Sequence, residues 1–236
     1  MEFTLDLALV RRILAEESAR ARRDIGASGP FFALRESQDR HTARLAAAED
    51  AGSLACREGC DWCCHFSVDV RAVEVFAIET WVSERFSAVA QAGLRERVQR
   101  NLDQLEVMKS QDRDEHTLAC PFLEASCCSI YPVRPQSCRN YHATDARGCA
   151  QSFAEPGNDE IDPEFAPLVY QTGTAHVEGF SNAMRDGGYD TCVYELNAAL
   201  AAAWGDPDAR ARWSSGQAPF AELAGVEVGA EYDDLV

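Results

Sequence analysis

The chain has 236 residues, 46% of them hydrophobic, which is enough for one large domain or two small ones with a real core and too apolar for global disorder. Its 22 basic against 39 acidic residues give a formal charge of −17, which argues against nucleic-acid phosphates or anionic membrane as main partners and reads most simply as solubility. The N-terminal M-E-F-T-L-D-L-A-L-V-R-R carries acids where a signal peptide needs lysines. No run approaches the roughly 20 apolar residues of a membrane span, so the expected location is the cytoplasm. In that compartment ten cysteines point to metal or redox chemistry rather than to disulfides.

Hydrophobic spacing predicts a helix over 4–24, with Leu5, Leu7, Leu9, Val10, Ile13 and Leu14 as its apolar stripe. A turn at 27–30 (A-S-G-P) separates it from a second helix running from about Phe31 to about Asp50. After the first cysteines, H-F-S-V-D-V alternates like a strand or an extended link. Helices are then expected over 71–86 and 94–108, with a polar loop at 110–117. Residues 118–149 are rich in turn formers, and Pro132 and Pro135 rule out a long helix there. A linker at 154–163 leads to helices over 164–185 and 190–204. Beyond Gly205 the chain is loosely patterned, apart from a short helix near 210–213, and ends acidic. The expected fold is mainly α: one domain over 1–236, with N-terminal helices in 1–54, a cysteine core in 55–149, C-terminal helices in 164–204 and an acidic tail in 205–236. In it two irregular cysteine-rich loops converge on a metal site.

The first of these loops reads A-C-R-E-G-C-D-W-C-C-H, with Cys56, Cys60, Cys63 and Cys64 inside nine residues. The second holds Cys120-Pro-Phe-Leu, Cys127-Cys128-Ser-Ile-Tyr131, Arg134-Pro135, Cys138-Arg139 and Cys149. Thiolates are soft anionic ligands, and two or three intervening residues let the backbone turn so that successive sulfurs reach one ion. Neither loop has the regular paired spacing of a zinc ribbon. Cys56-x3-Cys60-x2-Cys63 is also the spacing of the radical SAM cluster loop, with Trp62 before the last cysteine. That fold needs a βα barrel, whereas the flanking segments here read as helices.

Together the two loops resemble the YkgJ-type cysteine-cluster (CxxCxxCC) family, described as a zinc- or iron-chelating domain. The resemblance rests on Cys60, Cys63 and the Cys63-Cys64 pair, then C-P-F-L from Cys120, C-S-I-Y from Cys128, Arg134-Pro135 and Cys138-Arg139, and it spans about 55–149. It implies ligands among Cys56, Cys60, Cys63, Cys64, Cys120, Cys128, Cys138 and Cys149, enough for two four-thiolate sites or for one cluster with spares. Adjacent Cys63 and Cys64 diverge in most backbone conformations, so both are not expected on the same ion. Cys127 is read as incidental and Cys192 as a core residue on a helix.

The residues around the thiols each have two readings. Arg134, Arg139 and His142 are candidates for cofactor binding, although the arginines could equally clamp loop carbonyls. His65 and His142 are alternative metal ligands. Asp145 would orient His142 or cap a turn. Tyr131 is expected as a core aromatic with its hydroxyl satisfied. His41, His116 and His176 have no metal spacing. The bound group is expected to be an iron–sulfur cluster, 4Fe–4S by preference, or zinc. A similar cysteine cluster in flagellin lysine methylases, associated with a 4Fe–4S cluster and methyl transfer from SAM, tilts that choice toward iron–sulfur. Two functions follow: a metal-binding protein of structural, storage or delivery role, or an enzyme using the cluster on a protein or peptide substrate, methyltransferase-like or other. The first is preferred because no catalytic base, nucleophile or glycine-rich SAM loop is identifiable.

Overall fold

The computed structural model describes residues 5–108, 116–158 and 160–229. The chain folds into α1 (Leu7–Ser28), α2 (Pro30–Ala46), β1 (Asp69–Arg71), α3 (Ala72–Arg85), α4 (Ala88–Val107), β2 (Leu123–Glu124), β3 (Cys127–Cys128), α5 (Gln136–Asn140), α6 (Ala146–Ala154), α7 (Pro167–Asp186), β4 (Val193–Glu195), α8 (Leu196–Gly205) and α9 (Ala209–Ser214). The architecture is mainly helical, as the periodicity predicts. No helix among the described residues is long and apolar enough to cross a membrane.

Local chemistry accounts for the helix ends. Asp6 caps α1 by accepting from the Leu9 N–H at 3.0 Å. The helix continues past its predicted end to Ser28, and only Gly29, with φ +85°, separates it from α2, whose first residue is Pro30. Ser87 and Glu195 cap α4 and α8 in the same way. The helix expected from about 190 begins instead at Leu196, because Val193–Glu195 is drawn off to pair antiparallel with β1, Val70 opposite Tyr194. The loop expected at 110–117 lies almost wholly outside the described residues, as does the tail beyond 229.

The main core gathers Phe76 and Ile78 from α3, Leu94 and Val98 from α4, Phe180 and Met184 from α7, Leu196 and Leu200 from α8, and Trp213 from α9. The segment after Gly205 is therefore not loose throughout: Trp213 is fully buried, Phe220 nearly so, and Val226 bridges to Val193. Phe122 and Ile130, from C-P-F-L and C-S-I-Y, also enter this core. In each motif the apolar residue stands two places after a cysteine, so burying it leaves the preceding thiol at the edge of the core.

A second buried region joins α1, α2 and α7 through polar groups. Glu17, fully buried, takes two hydrogen bonds from Arg40, at 2.7 and 2.9 Å. The same carboxylate lies 3.5 Å from His176 Nδ1, while His176 Nε2 lies 3.0 Å from Ser37 Oγ. The His41 ring packs 5.1 Å from that of His176. Both histidines are buried where α1, α2 and α7 pack. α7 approaches α1 so closely at Gly179 that an added Cβ would sit 2.6 Å from the Leu14 carbonyl oxygen.

Two outcomes are expected. Gly179→Ala should destabilise the fold by about 1–3 kcal/mol in urea unfolding, because a backbone carbonyl and not a flexible side chain must yield. Burial pushes the His41 and His176 imidazoles below their ordinary value, to about 4 and about 2. The unfolded chain binds protons near 6.5 where the folded one does not, so stability is full above pH 6.5 and falls as pH drops toward 4. The expected slope is about 1.4 kcal/mol per pH unit for each histidine. Urea midpoints measured between pH 7.5 and 4.5 check this, and a flat profile would contradict buried neutral imidazoles.

Candidate metal centre

The first cysteine loop leaves the N-terminal helices through a turn at Ala51–Ser53 and ends in a turn at Trp62–His65. Within it Cys60 N–H bonds to Arg57 O and Cys64 N–H to Asp61 O. Three backbone hydrogen bonds lay this loop against the second cysteine region: Ala55 N to Ala143 O at 2.9 Å, Cys120 N to Cys64 O at 2.7 Å and Leu118 N to His65 O at 2.7 Å. The Ala143 N–H also points at Cys56 Sγ, 3.5 Å away. The Trp62 and His65 rings pack on Phe153 of α6, at 5.4 and 4.9 Å between centroids, which brings the helix bearing Cys149 against the first loop.

The second region is held just as specifically. Cys120 and Cys128 flank a two-residue hairpin in which Leu123 faces Cys128 and Glu124 faces Cys127. Ala125 and Ser126, at φ +49° and +59°, form its turn, the hand that fits twisted strands. Cys138 lies on α5, a helix of five residues fastened from three sides. Glu74 of α3 accepts from the Gln136 N–H at 2.6 Å, Ser137 Oγ donates to Asp69 O, and Asn140 donates to Thr174 of α7. Glu74 also accepts from the Arg71 N–H and is almost completely buried. Burial raises its pKa, and these N–H donors oppose that rise.

All ten cysteines are free thiols. Burial pushes Cys120 up to about 12, and the charges of Cys128 and Cys64 push the same way. Cys138 is raised by burial and by Cys120, Cys64 and Cys128, and Cys128 by burial and Cys64. These four thiols are thus within reach of one another's charge. Cys149 forms a second group, pushed to about 11 by burial and then by Cys56 and Cys60. The Cys63 thiol donates to Cys64, which keeps the proton on Cys63 and favours the thiolate on Cys64, and Cys63 also feels Cys138 and Cys56. The adjacent pair therefore stands where the two groups meet. Among the described residues no three His, Cys, Asp or Glu side chains are already poised as a coordination shell. The donors are chemically suited to zinc or iron.

The accompanying residues divide between the readings made for them. Arg139 donates to the carbonyls of Pro132 and Arg134, the clamping alternative. The Arg134 guanidinium lies 4.2 Å from the Tyr131 ring centroid, and its charge favours the thiolates of Cys64 and Cys128. Tyr131 itself is exposed rather than in the core, because Pro132 and the following turn direct it outward while Ile130 takes the buried place. His142 is kept neutral chiefly by burial, and its Nε2 is buried with no hydrogen-bond partner among the described residues. His65 Nε2 lies 4.0 Å from Asp61. Asp145 caps α6 through the Arg147 N–H at 2.9 Å, the second of its two readings. Cys127 is exposed, and Cys192 precedes β4 and packs at the core edge rather than lying on a helix. Glu74 and Phe153 escaped sequence reasoning; each is an ordinary residue of a helix face until its distant partner is known.

Residues 55–161 match the CxxCxxCC family model, whose description is "Putative zinc- or iron-chelating domain". The match is to this cysteine-rich segment, less than half of the chain. The match takes in both cysteine regions and the start of the link to α7, leaving α1, α2 and α7–α9 outside it. No curated protein and no solved structure matches the chain.

Arg139→Ala should lower stability by about 1–3 kcal/mol in urea unfolding, since two carbonyls of the loop lose their donor. Tyr131→Ala, at an exposed position, should change it by less than about 0.5 kcal/mol.

Proposed function

We propose that this protein is a cytoplasmic metal-binding protein with two neighbouring four-thiolate sites, one formed by Cys64, Cys120, Cys128 and Cys138 and the other by Cys56, Cys60, Cys63 and Cys149. The observation that carries this reading is the lateral pairing of the two cysteine regions, Cys64 on Cys120 and Ala55 on Ala143, which lays two thiol-bearing segments from distant parts of the chain side by side. The division between sites follows from which thiols feel one another's charge; Cys63 feels Cys138 ahead of Cys56, and it is assigned to the second set because side chains of adjacent residues diverge.

The inner set is the more enclosed, and Cys120 and Cys128 rest on the hydrophobic core. Arg134 and the Ala143 N–H supply positive charge and a donor beside the sulfurs, which lowers the cost of holding several thiolates together. The bound group supplies a structural cross-link if it is zinc, or electron transfer if it is a 4Fe–4S cluster. The iron–sulfur form is the preferred reading for the inner set, and all ten thiols being free suits a reducing compartment.

Protein produced and purified without oxygen should carry two metal sites per chain, read as zinc content or as iron with matching sulfide and visible absorption. Cys128→Ser and Cys149→Ser should each remove one site and leave the other, whereas Cys127→Ser and Cys192→Ser should leave both. Full metal content in both Cys60→Ala and Cys138→Ala would overturn the assignment.

A further inference from the structure

Beside α5 a cavity of about 480 Å³ opens to solvent between Ser137, Asn140, Tyr141, Phe165 and Tyr170. Its walls include none of the cysteines, and nothing in the thiol chemistry uses it. Three of its five lining residues are aromatic and form a continuous row. Phe165 stands edge-on to Tyr141, with centroids 5.5 Å apart and planes at 86°, and contacts Tyr170 at 5.8 Å. Both tyrosines are 38% exposed, an unusual share for rings that could have been packed away, so ring surface faces the opening.

The electrostatics select the kind of ligand. None of the five lining side chains is basic, so the cavity has nothing with which to hold a phosphate or carboxylate. The segment that delivers Phe165 reads E-I-D-P-E-F, and Glu160, Asp162 and Glu164 are all exposed along it. Burial pushes the Tyr141 hydroxyl up to about 12, and the charges of Cys149, Cys63 and Asp162 reach it in that order. The whole chain carries −17, so the field at this rim attracts cations. Aromatic faces present negative quadrupoles, and a cation shedding part of its water against two or three rings is held there without a salt bridge. A strongly hydrated metal ion would find no ligand set among these residues. An alkylated ammonium, apolar outside and charged at its centre, matches both the rings and the acidic rim.

We propose that the Tyr141–Phe165–Tyr170 cavity is a binding site for an alkylated ammonium group, borne by a small quaternary amine or by a methylated lysine side chain of a polypeptide. The site lies beside the thiol groups without sharing a lining residue with them, and it does not require them to hold metal. Its position at the end of α5 places such a cation one helical turn from Cys138, on an element that both sites share.

The test is a calorimetric or tyrosine-fluorescence titration of the purified full chain with choline, set against its uncharged isostere 3,3-dimethylbutan-1-ol at matched ionic strength. Choline should bind saturably and the isostere at least about tenfold more weakly, the size of one desolvated cation–π contact. Tyr141→Leu and Tyr170→Leu should each weaken choline about tenfold. Tyr141→Phe should keep the affinity, because it is the ring and not the hydroxyl that acts, and so also shows that the fold tolerates change there. Asp162→Asn should weaken binding a few-fold and flatten its dependence on salt. Parallel titrations with a lysine peptide and its trimethylated form separate the sources: preference for the trimethylated peptide over choline and over the unmethylated form identifies a methylated polypeptide lysine, and preference for choline a small amine. No saturable binding, equal binding of the isostere, or full affinity in both leucine variants would overturn the proposal.

Discussion

The carboxylate of Glu74 is the fixed point on which the cysteine region depends. It lies in the core end of α3 and spends both oxygens on backbone N–H groups, one at the start of its own helix and one at the start of α5. A helix of five residues has almost no stability of its own, because nucleation costs more than so few hydrogen bonds return. α5 persists because the Glu74 carboxyl accepts from its first N–H and because β1 and α7 hold it on other sides. Cys138 inherits its position from that arrangement. An anion so nearly excluded from water is tolerated only with donors in place, so the same interaction that stations α5 also makes Glu74 intolerant of losing it.

Burial of apolar residues performs the corresponding work for Cys120 and Cys128. Phe122 and Ile130 enter the main core, and the thiols two residues before them are held at its margin. Their neighbours are other thiols. Low polarity and mutual repulsion both hold protons on Cys120 and Cys138, whereas Cys64, taking a hydrogen bond from Cys63, favours the thiolate. A bound cation reverses both terms, since metal binding stabilises thiolates that are otherwise disfavoured and couples their deprotonation to local order. The strength of the centre as a ligand set therefore comes from the helices around it as much as from the sulfurs.

Those helices lie mostly outside the segment that matches the CxxCxxCC family. α1, α2 and α7 are joined by a buried polar network of Glu17, Arg40, Ser37 and His176. α7 in turn holds α5 through Thr174 and Asn140. The conformation of the thiol region is thus set partly by a helical frame that contains no thiol ligand. α7 also carries Tyr170, so the aromatic cavity and the cysteine centre share the frame that positions them.

Most of the longer helices were readable from the chain, because 14 to 22 residues give room for a hydrophobic period to repeat. The thiols were readable too, since cysteine spacing is a local property and needs no knowledge of the fold. What escaped was short or paired at a distance. α6 lies in a stretch too brief and irregular to show a period, and its Phe153 gains meaning only against Trp62 and His65. Val193–Glu195 fits a helix start as well as a strand until β1 is seen beside it. Tyr131 and Ile130 are adjacent apolar residues, and only the turn decides which one is buried. The sequence by itself therefore determined a helical protein with a metal-seeking set of cysteines, because periodicity and ligand chemistry are written residue by residue. Tertiary structure alone decided which thiols are neighbours, that Arg139 clamps carbonyls, and that three aromatic residues share one cavity, because each of those depends on contacts between segments far apart in the chain.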